Sequence, residues 1–238
     1  FFIHLNFTNM RLVKPSYKIL TEIDGVKMLK KLEEAGRTCY KSEDLISEDS
    51  YKPLIKHLLT SNHLSVIEHQ YFSVRFICDR GVSHEIVRHR LSSFSQESTR
   101  YCNYAKDKFG NQITYIIPEW TKFEEGFYHK LDLNEHHPYT NEEITWLLSM
   151  FESETAYNKL IANGWKAQQA RSVLPNSLKT EIIVTSNLRQ WRTIFEQRCA
   201  QGAHPQMREL MIPLLAEINT LIPIIYEDLY EKFCTSTN

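Results

Sequence analysis

The stretch Arg88-His89-Arg90-Leu91-Ser92-Ser93-Phe94-Ser95-Gln96-Glu97-Ser98-Thr99-Arg100-Tyr101 carries three arginines, one histidine and four serine hydroxyls against a single acid. Guanidinium forks make paired, charge-assisted hydrogen bonds to phosphate, and short hydroxyls fill the remaining lone pairs, so this composition suits an anion. A second position points the same way. Leu188, Trp191, Phe195 and Arg198 follow the i, i+3, i+7, i+10 spacing of one helix face, which sets an arginine on an apolar stripe. Read alone, Arg198 is a last-turn cation that favours the helix C-terminal dipole and reaches outward.

Metal chemistry is not indicated. His63 and His69 are six residues apart, and His84-Glu85-Ile86-Val87-Arg88-His89 is one residue longer than H-E-x-x-H. Five residues at ~100° each leave its two histidines roughly 140° apart on a helix. Phosphate-binding glycine loops are also missing. The seven glycines form neither G-x-x-x-x-G-K-[ST] nor G-x-G-x-x-G.

Charge balance explains why any anion binding must be local. With 28 basic and 29 acidic side chains and 42% apolar content, the chain has no global field to recruit nucleic acid or an anionic membrane. The five cysteines are widely spaced, odd in number and without C-x-x-C, which reads as a reduced, cytoplasmic protein. No apolar run approaches the ~20 residues of a membrane span. Met10 reads as an initiator, residues 1–9 as a leader or cloning scar, and residues 10–238 as one domain.

The elements expected to position these residues begin with a strand at 17–23 and an Asp24-capped helix carrying Val26, Leu29, Leu32 and Ala35 to a stop at Gly36. A helix follows from about Ser47 to Leu59. Tyr71 to Cys78 alternates as a half-buried strand, with Phe72, Val74, Phe76 and Cys78 on one face. After an Asp79-Arg80-Gly81 turn, Val82, Ile86 and Val87 suggest a short helix that delivers Arg88 to Arg90, with a serine-rich loop next. Gln112 to Ile117 reads as a strand. Thr140 and Glu143 make a capping box for a helix ending near Asn163-Gly164. A short helix carries Ala170-Arg171, Thr180 to Ser186 is a strand, and Leu188 to Cys199 is a helix capped by Asn187. Pro205 opens the last long helix, which Pro213 must kink or interrupt. This alternation predicts an α/β (α+β) fold, a helix-rich domain around a mixed or largely antiparallel sheet.

The order R-H-R-x-x-S followed by S-x-R in Arg88–Arg100 resembles the signature of the flavin-dependent thymidylate synthases, with Ser95 where asparagine is common. Ala170-Arg171-Ser172-Val173-Leu174-Pro175 resembles the family's A-R-x-x-L-P segment, and Asn187-Leu188-Arg189 its N-x-R. His63-Leu64-Ser65-Val66-Ile67-Glu68-His69 is similar to H-x-T-P-F-E-H, with Ser65 for threonine and Val-Ile for Pro-Phe. His204-Pro205-Gln206 resembles H-x-Q, set two residues farther from Arg198 than in the family.

The resemblance implies methylation of dUMP to dTMP, with 5,10-methylenetetrahydrofolate as carbon donor, FAD as redox cofactor and NADPH as reductant. It implies nucleotide contacts from Glu85, Arg88, Gln96, Glu97, Ser98, Thr99, Arg100, Arg171 and Arg198. FAD contacts are implied for His63, Ser65, Arg88, His89, Arg90, Gln96, Asn187, Leu188, Arg189, Thr193 and His204. Arg198 is implied to stabilise negative charge on the pyrimidine, with no protein nucleophile, so that neighbouring Cys199 is a core residue. A homotetramer with sites shared between subunits is implied as well. The residues by themselves leave two other readings: a nucleic-acid module stacking bases on Phe94, Tyr101 and Tyr104, which the near-neutral charge opposes, and a flavoprotein acting on another phosphorylated metabolite.

Overall fold

The computed structural model describes residues 10–102, 104, 112–129 and 137–235. The expected leader, 1–9, lies outside them. In chain order the elements are β1 (Met10–Val13), β2 (Ser16–Ile19), α1 (Gly25–Tyr40), α2 (Tyr51–Thr60), β3 (Tyr71–Asp79), α3 (Arg80–Ile86), β4 (Ser92–Gln96), β5 (Thr114–Ile116), β6 (Gly126–Tyr128), α4 (Asn141–Ala162), α5 (Ala167–Ala170), β7 (Lys179–Asn187), α6 (Leu188–Arg198), α7 (Pro205–Leu221) and α8 (Glu227–Tyr230). The expected mixture of helix and sheet is present.

The chain packs as two compact units, and β3, α3, β4 and β7 each run on from one to the other. The first contains the described parts of Phe1–Ser16, Ile77–His84 and Gln96–Ile182. Its three-stranded sheet has the order β5-β1-β6, with β1 parallel to β5 and antiparallel to β6. Met10, Leu12, Ile113 and Tyr115 from this sheet region pack with Leu147, Met150, Phe151 and Tyr157 of α4. The expected capping box opens α4: Glu143 N–H donates to Thr140 Oγ1 at 3.2 Å and Thr140 N–H to Glu143 Oε2 at 2.8 Å. Past its end, Gly164 takes a φ of 90°, where a side chain would be strained.

The second unit contains Tyr17–Phe76, Glu85–Ser95 and the described part of Ile183–Asn238. The four-stranded sheet, ordered β2-β3-β7-β4, has most of its strand residues here. Phe72, Val74 and Phe76 are fully buried on one face of β3, as their alternation predicts. Asp24 caps α1, accepting from Lys27 N–H at 2.9 Å.

Helix α1 does not stop at Gly36 but runs on to Tyr40. Gly36 is buried inside the helix, where a Cβ would meet Leu54 Cδ2 at 3.4 Å and Leu58 Cδ1 at 3.5 Å, ordinary packing distances, so the glycine neither ends the helix nor is required by its neighbours. The buried face is Met28, Leu29 and Leu32, with Val26 exposed. Two further differences bear on the site. No turn follows β3, because α3 begins directly at Arg80 with Asp79 Oδ1 accepting from Val82 N–H at 2.6 Å. The serine-rich stretch is also not a loop, since Ser92–Gln96 forms strand β4 beside β7. Pro213 lies within α7, which continues through it.

Candidate active site

Within the second unit, α6 brings Arg198 to His89 and Glu85. Asn187 caps the helix, its side chain accepting from Gln190 N–H at 2.8 Å. The apolar stripe then sinks into the core, with Leu188, Trp191 and Phe195 fully buried. One turn later on the same face, Arg198 keeps only 17% side-chain exposure and turns to protein partners instead of reaching outward. Its Nε donates to His89 Nε2 at 2.9 Å, Nη1 to Glu85 Oε2 at 2.6 Å and Nη2 to the Glu85 carbonyl at 3.2 Å.

His89 must be neutral to accept that bond. Burial, and then the adjacent Arg198 charge, push its pKa down to about 4. The result is a cation held between a carboxylate and a neutral imidazole, 109 and 113 residues away in sequence. Arg88 and Arg90 on either side of His89 are exposed. Cys199, next to Arg198, is 2% exposed, and burial pushes its thiol up to about 12, which leaves it protonated and unreactive at neutral pH.

Three of the residues expected at the flavin line one cleft of about 340 Å³ in the same unit: His63, Ser65 and Arg189, with Cys39, Tyr40 and Leu58. Arg189 also pairs with Glu68 at 2.7 Å. Leu188 is placed differently. Its side chain is in the core, its N–H donates to the Gln70 carbonyl at 2.9 Å and its carbonyl accepts from Tyr226 OH at 3.2 Å. Thr193 Oγ1 donates to the Arg189 carbonyl at 3.4 Å, and exposed His204 stands at the N-cap position of α7.

The remaining nucleotide candidates lie in the first unit. Arg171 Nη1 donates to Thr99 Oγ1 at 3.1 Å, and both line a cleft of about 420 Å³ with Arg80, His84, Gln168 and Ser172. Two guanidiniums, an imidazole and hydroxyls give this cleft donors of the kind that suit an anion. The anion readings of sequence missed Arg80 and His84. His84 was visible there only as a poor metal ligand, and Arg80 only as a turn residue. Gln96 and Glu97 are turned to internal work: Gln96 Nε2 donates to Ser83 Oγ at 2.8 Å, and Glu97 accepts from Tyr104 OH at 3.1 Å and from Lys179 at 3.2 Å. Ser98 Oγ accepts from Arg100 N–H at 3.4 Å, and exposed Arg100 reaches Tyr101 OH at 2.9 Å. Among the described residues no cluster of three or more His, Cys, Asp or Glu could hold a metal, and no helix is long and apolar enough to cross a membrane.

Clefts lined by arginines, and a guanidinium held under cover by His89 and Glu85, define a mixed α/β protein suited to small anionic molecules. A family model described as thymidylate synthase complementing protein matches residues 24–224, and the chain belongs to that family. It is 31% identical to the flavin-dependent thymidylate synthase of Pyrococcus furiosus over 80% of this chain and 72% of that one. With the enzyme of the same name from Mycobacterium tuberculosis it shares 30% identity over 91% and 85%. Among solved structures, the UMP/dUMP methylase PolB from Streptomyces cacaoi, bound with 5-Br UMP, superimposes with a TM-score of 0.70 at 18% identity over 96% and 99% of the two chains. Thymidylate synthase X from Helicobacter pylori, with FAD and dUMP, gives 0.68 at 18% over 91% and 99%. These likenesses carry the fold.

Proposed function

We propose that this chain catalyses the reductive methylation of dUMP to dTMP, with 5,10-methylenetetrahydrofolate giving the carbon, NADPH the electrons, and tetrahydrofolate and NADP⁺ leaving. The observation that carries this reading is Arg198, preorganised by His89 and Glu85 in a chain of this family. A guanidinium stays protonated when partly desolvated, and fixed charge stabilises developing negative charge without reorganisation. Arg198 therefore stabilises the enolate-like pyrimidine. Ser98, Thr99, Arg100 and Arg171 hold the nucleotide phosphate, and Arg88, His89 and Arg90 stand between nucleotide and flavin.

The His63, Ser65 and Arg189 cleft suits the pyrophosphate of FAD, because it offers a guanidinium and a hydroxyl in a chain without a glycine-rich phosphate loop. FAD, when bound, carries electrons from NADPH to the transferred carbon. The chain's own contribution is to hold the ligands, exclude water and supply fixed charge. Residues 10–238 act as one catalytic domain in a homotetramer, each site drawing side chains from neighbouring chains.

The test is to purify the protein, record its visible spectrum, titrate dUMP against it, and assay dTMP by mass with methylenetetrahydrofolate and NADPH. A flavin spectrum perturbed by dUMP, together with dTMP formation that requires both co-substrates, is the expected result. A colourless protein that forms no dTMP when supplied with FAD overturns the reading.

A further inference from the structure

All three nitrogens of the Arg198 guanidinium are engaged within the second unit: Nε by His89 Nε2 at 2.9 Å, Nη1 by Glu85 Oε2 at 2.6 Å and Nη2 by the Glu85 carbonyl at 3.2 Å. A guanidinium has five N–H donors, so this arrangement leaves two for a ligand. Both partners come from one short segment. Glu85 lies in the last turn of α3, and the turn after it, with His89 N–H donating to the Ile86 carbonyl at 3.2 Å, sets the imidazole beside the carboxylate.

The geometry points to Glu85 as a positioning residue for Arg198. Its carboxylate and its carbonyl grip two guanidinium nitrogens while His89 fixes the third, so the two remaining N–H groups are presented in a single orientation. This rests on the proposed methylation and adds to it a role for Glu85 that acts through Arg198, beyond contact with the nucleotide.

Two physical arguments favour positioning over an incidental ion pair. Arginine is rich in rotamers, and a charge that must stabilise a transition state is effective only when its orientation is fixed before the reaction. With Arg198 17% and Glu85 36% exposed, the pair is largely covered, and a covered ion pair is weak evidence for a role in folding stability, whereas gripping both by carboxylate and by main-chain carbonyl gives directional control. The negative charge also offsets part of the guanidinium's field. The pair therefore makes sense if orientation matters more here than raw charge.

Glu85→Gln separates these contributions, because its amide oxygen still accepts from Nη1 but carries no charge; Glu85→Ala removes both. The two variants and the wild type are compared as flavin-loaded enzyme by kcat, by dUMP Kd from the flavin spectrum, and by the NMR order parameter of the Arg198 Nε–H, assigned with Arg198→Lys. Glu85→Ala is expected to lose about 100-fold in kcat, the scale of a misplaced catalytic group, with dUMP Kd changed less than about 3-fold, within the small end of lost contacts. The Nε–H order parameter should fall clearly below its wild-type value, as expected when a held side chain becomes loose. Glu85→Gln should restore most of the rate and the order. The proposal is overturned if Glu85→Ala keeps wild-type kcat, if it weakens dUMP binding with kcat unchanged, or if Arg198 stays ordered in it. The order parameter needs no turnover: a wild type that makes no dTMP removes the proposed function, and the NMR comparison still decides the positioning.

Discussion

Trp191 lies flat on Phe72, with ring centroids 4.6 Å apart and planes 7° from parallel, and its indole N–H donates to the Phe72 carbonyl at 3.1 Å. This contact fixes the rotation and the axial position of α6 on β3, and Arg198 is carried two turns farther along the same helix. Trp191→Phe keeps a ring on Phe72 but loses the hydrogen bond and is expected to cost about 1–3 kcal/mol. Trp191→Ala empties the site, at about 3–5 kcal/mol. Urea unfolding followed by far-UV circular dichroism measures both, and equal costs would show that the stack itself contributes nothing.

His89 makes stability depend on pH. Its folded pKa of about 4 lies below the ordinary 6.5, so as pH falls from about 6.5 to about 4 the unfolded chain takes up a proton that the folded chain refuses. Stability is fully present above 6.5 and declines below it, by about 3 kcal/mol at most for a shift of this size. His89→Gln should flatten that decline. Unfolding free energies at pH 7.5, 6 and 5 test it; parallel curves for the two proteins would mean that His89 is not the group responsible.

Local rules carried well from sequence to structure wherever the signal sat within a few residues. Asn187 before an apolar stripe, Thr140 three residues before Glu143, and the alternation from Phe72 to Cys78 each became the expected element. Where the deciding partner is distant, the local signal fails. Ser92–Gln96 is too polar to show apolar alternation, and its strand exists because β7 lies beside it, with Ser92 and Ser186 joined through their hydroxyls. Gly36 looks like a helix stop, yet α1 runs on through it to Tyr40 with the glycine buried on the core face. For the site, residue spacing alone showed an arginine on an apolar stripe and a donor-rich segment, while the individual roles came from resemblance. That Glu85 faces Arg198 across 113 residues was not readable from either.

Arg198 and Cys199 are neighbours with opposite expected sensitivities. Cys199 is buried and its thiol is pushed up to about 12, so it offers no thiolate near neutrality. Cys199→Ala should keep most of the dTMP-forming rate, with a modest loss of stability. Arg198→Ala removes preorganised charge and should lower kcat by about 10²–10³-fold. Rates measured with saturating dUMP decide it, and an inactive Cys199→Ala enzyme that folds normally would contradict an electrostatic mechanism.

Arg189 and Glu68 form an ion pair with half-exposed side chains, which contributes little to folding. If Arg189 serves the flavin, Arg189→Ala should leave the melting temperature of the FAD-free protein nearly unchanged while weakening FAD by about 10- to 100-fold, the worth of one charge-assisted hydrogen bond. Ser65→Ala, at the same cleft, should have a smaller effect of the same sign. Fluorescence titration with FAD measures both. A large drop in stability without any change in FAD affinity would assign the arginine to the fold instead.

Glu154 presents the opposite case to His89. It is fully buried in the first unit, where Ile113 N–H donates to Oε1 at 3.0 Å and Oε2 finds no partner among the described residues. Burial raises its pKa to about 7, the single backbone hydrogen bond offsetting only part of that shift. The sign follows from linkage: below about 4.5 both states are protonated, and between 4.5 and 7 the unfolded chain loses a proton that the folded chain keeps. Stability therefore falls as pH rises through this window, by about 3 kcal/mol in all. Glu154→Gln retains an acceptor for Ile113 N–H and cannot ionise. It should match the wild type near pH 5 and exceed it by about 2–3 kcal/mol at pH 8.5, as measured by urea unfolding of the whole chain. A glutamine variant less stable than wild type at pH 8.5 would show that the ionised carboxylate is itself accommodated in that core.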